Sequence, residues 1–327
     1  MSAPQLPDWG SIRDVPGVLA GHAQRTGDGW LSGVTVVIPP QGTTGSVDVR
    51  GGGPGTHETD ALAPSTLVPT VDAVVLTGGS AFGLASTGGV QRWCREQGRG
   101  FAAGPPDDPR SVLVPIVPAA AVFDLGRGGD VTAAPDAEMG YAAAAIAATG
   151  EFDLAGTGLG AGTGARMARQ TIRGGAGTAS LPLRGRFTEL PDGVVAGALA
   201  VVNAAGSPIS PSGAFYAEPF LPPGFSLPRL PARDAPEAFE APAPANTTLV
   251  VIATNARLDP AQCYRTAVAG HDGIARALVP AHTMLDGDTV FALSTGEIEL
   301  TGLAVVELQA LAAQVTLLAI ADAARRG

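Results

Sequence analysis

The sequence predicts a layered α/β protein, and three features carry the prediction. Short runs of β-branched and apolar residues recur along the chain, stretches of helical pattern lie between them, and glycine-rich turns join the two. Of 327 residues, 45% are apolar and 15% are charged. Such a chain is long enough to bury a substantial core, as one large domain or two small ones.

Residues 33–39 form the first buried run, closed by Pro39 and Pro40. A short strand from residue 46 enters a glycine-rich turn at residues 51–55. His57, Glu58, Thr59 and Asp60 follow, with no second histidine at helical spacing, so a zinc-helix pattern fails and polar loop capping is expected. Residues 72–77 run as a strand into Gly78, Gly79 and Ser80. A helix is expected from residue 84 to about residue 96, with Gly98 as its stop. Strand, Gly-x-Ser turn and helix are the setting of a nucleophile elbow with Ser80 as nucleophile. That strained turn needs a small residue two positions on, where this chain has Phe82. A helix N-terminus whose backbone amides bind a carboxylate or an oxyanion suits the stretch better.

Pro115 and Pro118 make residues 111–124 an edge or bulged strand. Residues 134–149 read as a helix, with Gly150 past its end. The glycine-dense loop at residues 156–166 touches the dinucleotide fingerprint at Gly156, Gly158 and Ala161, but no acidic residue stands about 20 positions on to take a ribose hydroxyl. Glycines there are expected to let backbone approach a ligand or another chain. Residues 177–183 and 194–203 read as neighbouring core strands. Asn203 ends the second, as a turn former or as an amide able to donate to an oxyanion.

Eight of the 28 prolines fall in residues 218–245, and acidic residues accompany them. This is expected to be a surface linker that divides the chain into residues 1–246 and 247–327. Thr247 then opens a buried strand to residue 254. Asp259 and Pro260 suit the N-cap and first position of a helix reaching about residue 279. Residues 286–294 form a turn into a strand, and residues 307–324 a closing helix, apolar on one face.

Twenty basic residues against thirty acidic ones give a net charge of −10, and no basic run exists. Nucleic acid is an unexpected partner, because phosphate neutralisation needs clustered cations. Residues 1–8 lack the pattern of a secretory leader, and apolar runs such as 194–205 are too short to span a bilayer. A cytoplasmic protein without a membrane partner is expected. Cys94 and Cys263 make no metal spacing and are expected to stay reduced. No metal and no cofactor is expected.

The Asn246–Thr247 junction has two readings on pattern alone: a plain loop-to-strand boundary, or a bond that is cut to leave Thr247 as a new N-terminus. Residues 49–60, 76–83, 160–165, 246–248 and 286–292 together resemble the DmpA-type self-processing aminopeptidases, a family that includes β-aminopeptidases and the nylon-oligomer hydrolase. The resemblance runs through nearly the whole chain. It implies a four-layered α/β/β/α sandwich like that of the N-terminal-nucleophile hydrolases. It also implies one domain, cut at Asn246–Thr247 into an α subunit (1–246) and a β subunit (247–327) that stay together, with Thr247 as nucleophile. Asn203, Asp286 and Asp288 are its implied companions. Where some relatives end the glycine loop with Lys, this chain has Arg169, which cannot give up its proton. Where some place a Tyr, it has Phe123, which lacks the hydroxyl. The implied partners are a small amide or peptide substrate and further copies of the αβ unit, as a tetramer.

A threonine hydroxyl needs a base beside it, and an N-terminal threonine carries its own: a free α-amine has a pKa of roughly 8. Asn203 is expected to donate to the oxyanion, with a backbone amide of the Gly78-Gly79-Ser80 turn. Asp286 and Asp288 either orient the ammonium or hydroxyl, or simply form an Asp-Gly turn. His271 and His282 are candidates for a conventional triad with Ser80, though surface or helix-end positions are the first expectation for both. Candidate substrates are short peptides, β-peptides and linear oligoamides such as 6-aminohexanoate oligomers. The alternatives are an unprocessed member that binds a small molecule without catalysis, and a Ser80-dependent hydrolase.

Overall fold

A computed structural model of the chain describes residues 8–105, 108, 110–150, 153–185, 188, 190–229 and 246–327. The hairpin of β1 (Leu19–Gly27) and β2 (Trp30–Ile38) comes first, then β3 (Thr44–Val49), β4 (Thr56–His57) and β5 (Val74–Thr77). The single turn α1 (Ser80–Gly83) and α2 (Ser86–Glu96) lead to β6 (Phe101–Ala103), β7 (Val112–Val114), β8 (Ala119–Ala121) and α3 (Ala137–Thr149). The short pair β9 (Arg166–Met167) and β10 (Ile172–Arg173) precedes the long strands β11 (Gly175–Pro182) and β12 (Val195–Asn203). The chain closes with β13 (Thr247–Arg257), α4 (Pro260–Ala277), β14 (Thr289–Glu299) and α5 (Leu303–Arg326).

Two five-stranded sheets form the centre. One has the order β1-β2-β5-β8-β4 and the other β11-β12-β13-β14-β3. Alternation along the strands divides their side chains between three apolar layers, because successive residues point to opposite faces. Leu249, Val251 and Ala253 of β13 meet Leu199 and Val201 of β12, Phe291 and Leu293 of β14, and Val74 and Leu76 of the facing sheet. The intervening Val250 and Ile252 face α4 and α5. On the far side, Val34, Val36 and Val75 pack on α2 and α3 through Val90, Trp93 and Ala143. The layers are therefore α/β/β/α, the four-layered sandwich that the resemblance implies. Strands buried on both faces read as continuous apolar runs, which is why the central ones are plain in the sequence.

The structure differs from expectation where burial is one-sided or the chain turns early. The outer half of β1, residues 24–27, is exposed, so it carries no apolar run. Residues 119–121 lie inside the first sheet, parallel to β5 and antiparallel to β4, and not at an edge. Pro115 and Pro118 stand before that ladder, and the Pro118 carbonyl accepts from the Val75 amide at 3.0 Å. The helix expected from residue 84 begins earlier, as the separate turn α1. The closing helix runs from residue 303 to 326 and is not a one-faced amphipathic helix. By length and composition alone it could cross a bilayer, but 67% of its most apolar window is buried within the protein. It lies against β11, β12 and α4 as a core helix of the outer layer.

Other local expectations hold. Asp259 and Gln262 form a reciprocal cap at the start of α4, with bonds of 2.7 and 3.0 Å. Glu58 accepts from the Val117 amide at 3.0 Å, the polar capping expected of that cluster. Cys94 and Cys263 are free and lie in opposite outer layers, and burial pushes each thiol up to about 12. Residues 230–245 of the expected linker lie outside the described residues.

Candidate active site

The second sheet places the candidate nucleophile. β12 and β13 run antiparallel with Asn203, the last residue of one, directly opposite Thr247, the first of the other. Thr247 is buried, and its hydroxyl donates to the carbonyl oxygen of Asn246, the residue before it. The Gly287 amide donates to the same carbonyl at 3.2 Å, and Asn246 bridges Asp286 in parallel register. One carbonyl thus carries a hydroxyl on its own following residue and an amide donor from the turn before β14. That is the arrangement needed to polarise an amide towards attack by a neighbouring oxygen.

Asp286 and Asp288 flank Gly287, and both are buried. Asp288 accepts from the Thr248 amide at 2.6 Å, and from the His282 amide and ring at 3.1 and 2.7 Å. Asp286 accepts from the Ala205 amide at 3.2 Å and from the amide and hydroxyl of Thr283 at 3.0 and 2.5 Å. Burial first, and then the neighbouring Asp288, push the Asp286 carboxyl above the usual carboxylate range. The pair is more than a turn. Asp288 ties down the first residues of β13, and Asp286 ties the end of β12 to the segment before β14.

Asn203 is fully buried. Its Oδ1 accepts from Arg127 Nη1 at 2.5 Å and from the Arg166 amide at 2.9 Å, and its Nδ2 donates to the Phe123 carbonyl at 3.2 Å. Two donors on one atom orient the amide so that its NH₂ group turns towards the Phe123 main chain. Phe123 therefore reaches the site through its backbone. Arg127 also donates to the Gly164 carbonyl at 2.6 Å. Burial lowers this guanidinium to about 10, with Asp124 working against that and Arg166 adding to it.

The Gly78-Gly79-Ser80 turn does bind a carboxylate, but one from this chain. The Gly79 amide donates to Asp124 Oδ1 at 2.6 Å, while those of Gly78 and Ser80 donate to the carbonyls of Gly33 and Val122, both at 2.9 Å. The expected oxyanion role for these amides is not what the geometry offers. Burial pushes the Asp124 carboxyl up to about 6. Ser80 makes no hydrogen bond with either histidine among the described residues. His271 instead faces the Asp48 carbonyl at 3.0 Å, and His282 faces Asp288. His271 is buried while His282, beyond the end of α4, is half-buried, and their ring centroids are 4.8 Å apart. The triad with Ser80 describes neither, and a surface position fails for His271.

A cavity of about 180 Å³ opens beside Asn203, between the glycine loop and the β9–β10 pair, and Arg166 and Arg173 line it. Arg169 is exposed and not part of that lining. Among the described residues no group of three or more His, Cys, Asp and Glu side chains is placed to hold a metal ion.

Sequence reasoning passed over Gly287, Arg127, Asp124 and Thr283, and set His282 beside Ser80 where the structure pairs it with Asp288. Asp286-Gly287-Asp288 signalled a turn, and nothing local marks that its central amide points at a carbonyl 41 residues earlier in the chain.

Comparison with known proteins makes the chain a hydrolase acting on peptide or amide bonds. The family model for peptidase family S58 matches residues 10–326, and the chain belongs to that family. An uncharacterized aminopeptidase of Mycobacterium tuberculosis (strain H37Rv) is 47% identical over 305 residues, spanning 88% of this chain and 82% of the relative. A 6-aminohexanoate-oligomer endohydrolase of Paenarthrobacter ureafaciens is 30% identical over 297 residues, spanning 88% of this chain and 75% of the relative. Among solved structures, a β-aminopeptidase of Burkholderia sp. superposes with a TM-score of 0.69 at 23% identity, over 99% of this chain and 88% of the other. The L-aminopeptidase D-Ala-esterase/amidase of Ochrobactrum anthropi, described as a variant of the Ntn-hydrolase fold, gives a TM-score of 0.68 at 20% identity, over 99% and 88%. These two likenesses show the fold.

Proposed function

We propose that this chain is a self-processing amidase that cuts its own Asn246–Thr247 bond and then uses Thr247 as an N-terminal nucleophile on short peptides or linear oligoamides. The observation that carries the proposal is the Thr247 hydroxyl lying on the Asn246 carbonyl, which the Gly287 amide also holds. In the precursor, Thr247 Oγ adds to the carbonyl carbon of Asn246 while Gly287 N–H supports the developing oxyanion. The C–N bond breaks, the nitrogen takes a proton, and an ester between Asn246 and Thr247 Oγ remains. That break has already freed the α-amine, whose pKa of roughly 8 suits a general base at neutral pH. Water then hydrolyses the ester, leaving a carboxylate on Asn246 and returning the hydroxyl to Thr247.

In the processed enzyme the α-amine takes the proton of Thr247 Oγ as the oxygen attacks a substrate amide. The leaving amine departs with a proton, and water resolves the acyl-enzyme. The Gly287 amide is the donor on the reacting carbonyl, Asn203 is a second one from its place opposite Thr247, and Asp286 and Asp288 hold the strand ends that carry the nucleophile. The resulting domain comprises residues 1–246 and 247–327, assembled as αβ units in a cytoplasmic oligomer.

The test is intact mass and N-terminal sequencing of the purified protein, with a panel of short peptides and 6-aminohexanoate oligomers assayed alongside. Two fragments are expected, the smaller beginning at Thr247, and Thr247→Ala loses both cleavage and turnover. A single uncut chain that still hydrolyses amides would overturn the proposal.

A further inference from the structure

The cavity beside Asn203 has a feature that the cleavage chemistry leaves unused. Arg166 and Arg173 are register partners across the β9–β10 pair, so their side chains leave the same face of a two-stranded ribbon. Like charges directly opposite each other destabilise a strand pair. Neither guanidinium has a hydrogen-bond or ion-pair partner among the described residues, and both line the cavity. Arg127 adds a third cation near enough to Arg166 for the two to repel. Asp124, the acid that acts on Arg127, accepts from the Gly79 amide. In a chain with ten more acidic than basic residues, two adjacent cations left without a counter-ion mark a place for an anion from outside.

The rest of the lining narrows the anion's class. Leu31 and Ala165 are apolar, while Thr157 and Thr163 bring hydroxyl groups. A volume near 180 Å³ suits a carboxylate with a short carbon chain, and guanidinium groups bind carboxylates in a bidentate fork. Two steps link the cavity to the nucleophile. The Arg166 amide donates to Asn203 Oδ1 at 2.9 Å, and Asn203 stands opposite Thr247.

We infer that Arg166 and Arg173 bind the free carboxylate of the leaving fragment, so that the enzyme selects short amides ending in an acid close to the scissile bond. This rests on the amidase reading above and adds its substrate class: dipeptides and the acid ends of linear oligoamides, rather than internal bonds of long chains or carboxyl-blocked amides.

The experiment compares alanyl-alanine and the linear 6-aminohexanoate dimer with their carboxamides, using processed wild type, Arg173→Gln and Arg173→Lys. Arg173 is exposed, so its variants are expected to fold and to process normally. In wild type, kcat/KM is expected to favour the free acids by roughly 10- to 100-fold, the scale of a charge-assisted hydrogen bond. Arg173→Gln loses most of that preference while its rate on the carboxamides stays within about threefold, and Arg173→Lys restores part of it. Equal wild-type rates on acid and carboxamide, or a variant that slows both alike, overturns the inference. Calorimetry with sodium hexanoate separates the two readings. Binding that weakens at least about tenfold in Arg173→Gln, in a protein that turns over no amide, sustains the carboxylate site and sinks the amidase. Turnover without acid preference does the reverse.

Discussion

Asn203 and Thr247 face each other at the open ends of β12 and β13, last residue against first, in antiparallel register. Register partners of this kind project to the same face of the sheet. Asn203→Ala is expected to lower kcat by about 100- to 1,000-fold, the cost of losing one oxyanion donor. It also removes the acceptor that Arg127 and the Arg166 amide share, so thermal unfolding must accompany the kinetics. A drop in kcat with Tm held near wild type assigns the loss to chemistry; a kcat within about threefold of wild type removes Asn203 from the site.

Asp288 holds three donors, from Thr248 and from the backbone and ring of His282. Asp288→Ala takes the acceptor from all three, with Thr248 buried and His282 half-buried. It is expected to cost about 3–5 kcal/mol and to slow the appearance of a Thr247-terminated fragment. Asp288→Asn keeps an acceptor for Thr248 but sets an NH₂ group against the His282 donors, and is expected to fall between the two. Urea midpoints and a time course of fragment formation on gels check the order. Wild-type midpoints for both variants would contradict it.

His22 lies beneath the glycine loop, its Nδ1 at 2.8 Å from the Thr35 hydroxyl and its Nε2 at 3.3 Å from the Leu154 carbonyl. The Ala161 amide donates to that same hydroxyl at 3.1 Å, so Thr35 donates to a neutral ring protonated on Nε2. Burial holds the imidazole down to about 4, against an ordinary 6.5. The unfolded chain therefore takes up this proton first as pH falls. The stability is present in full above about pH 6.5, is lost between 6.5 and about 4, and falls no further below. The contribution is on the order of 3 kcal/mol. Denaturant midpoints at pH 7 and pH 4.5 are expected to show a smaller pH difference in His22→Gln than in wild type. His271, also held near 4 by burial, keeps its own share in the variant.

Gly160 sits in the left-handed region at φ +48°, with His22 Nδ1 and Thr35 Oγ1 packed where a Cβ would stand. Gly160→Ala combines backbone strain with overpacking and is expected to destabilise the protein by about 2–4 kcal/mol. A Tm within about 1 °C of wild type would show that the loop shifts freely.

The layers were readable from the sequence because Val250 to Ala253, Leu199 to Val202 and Val74 to Leu76 are buried on both faces, and that burial writes unbroken apolar runs. The half-exposed β1 writes none, and neither do two-residue strands such as β4. In the site, Thr247 was legible as the first residue of a core strand after a proline-rich stretch. The geometry around it was not. That Gly79 binds the chain's own Asp124 is a fact of distant register, while Arg166 and Arg173 facing one cavity with Arg169 outside, and His282 bracing Asp288, depend on how short irregular turns fold. No local pattern encodes them.

The strand order of the second sheet bears on what a cut before Thr247 would do. β13 and β14 form its middle, while β12 and β3, which flank them, come from the other side of the bond. Each piece would supply the inner faces that the other lacks, so separating them would expose the apolar centre of the protein. The cleaved molecule should then behave as a heterodimer that cannot exchange partners without denaturing. Its recovery from denaturant would depend on concentration, whereas that of the uncut precursor would not. One backbone bond would thus convert a first-order folding reaction into a second-order one, and the mature enzyme would be held together by the history of its synthesis.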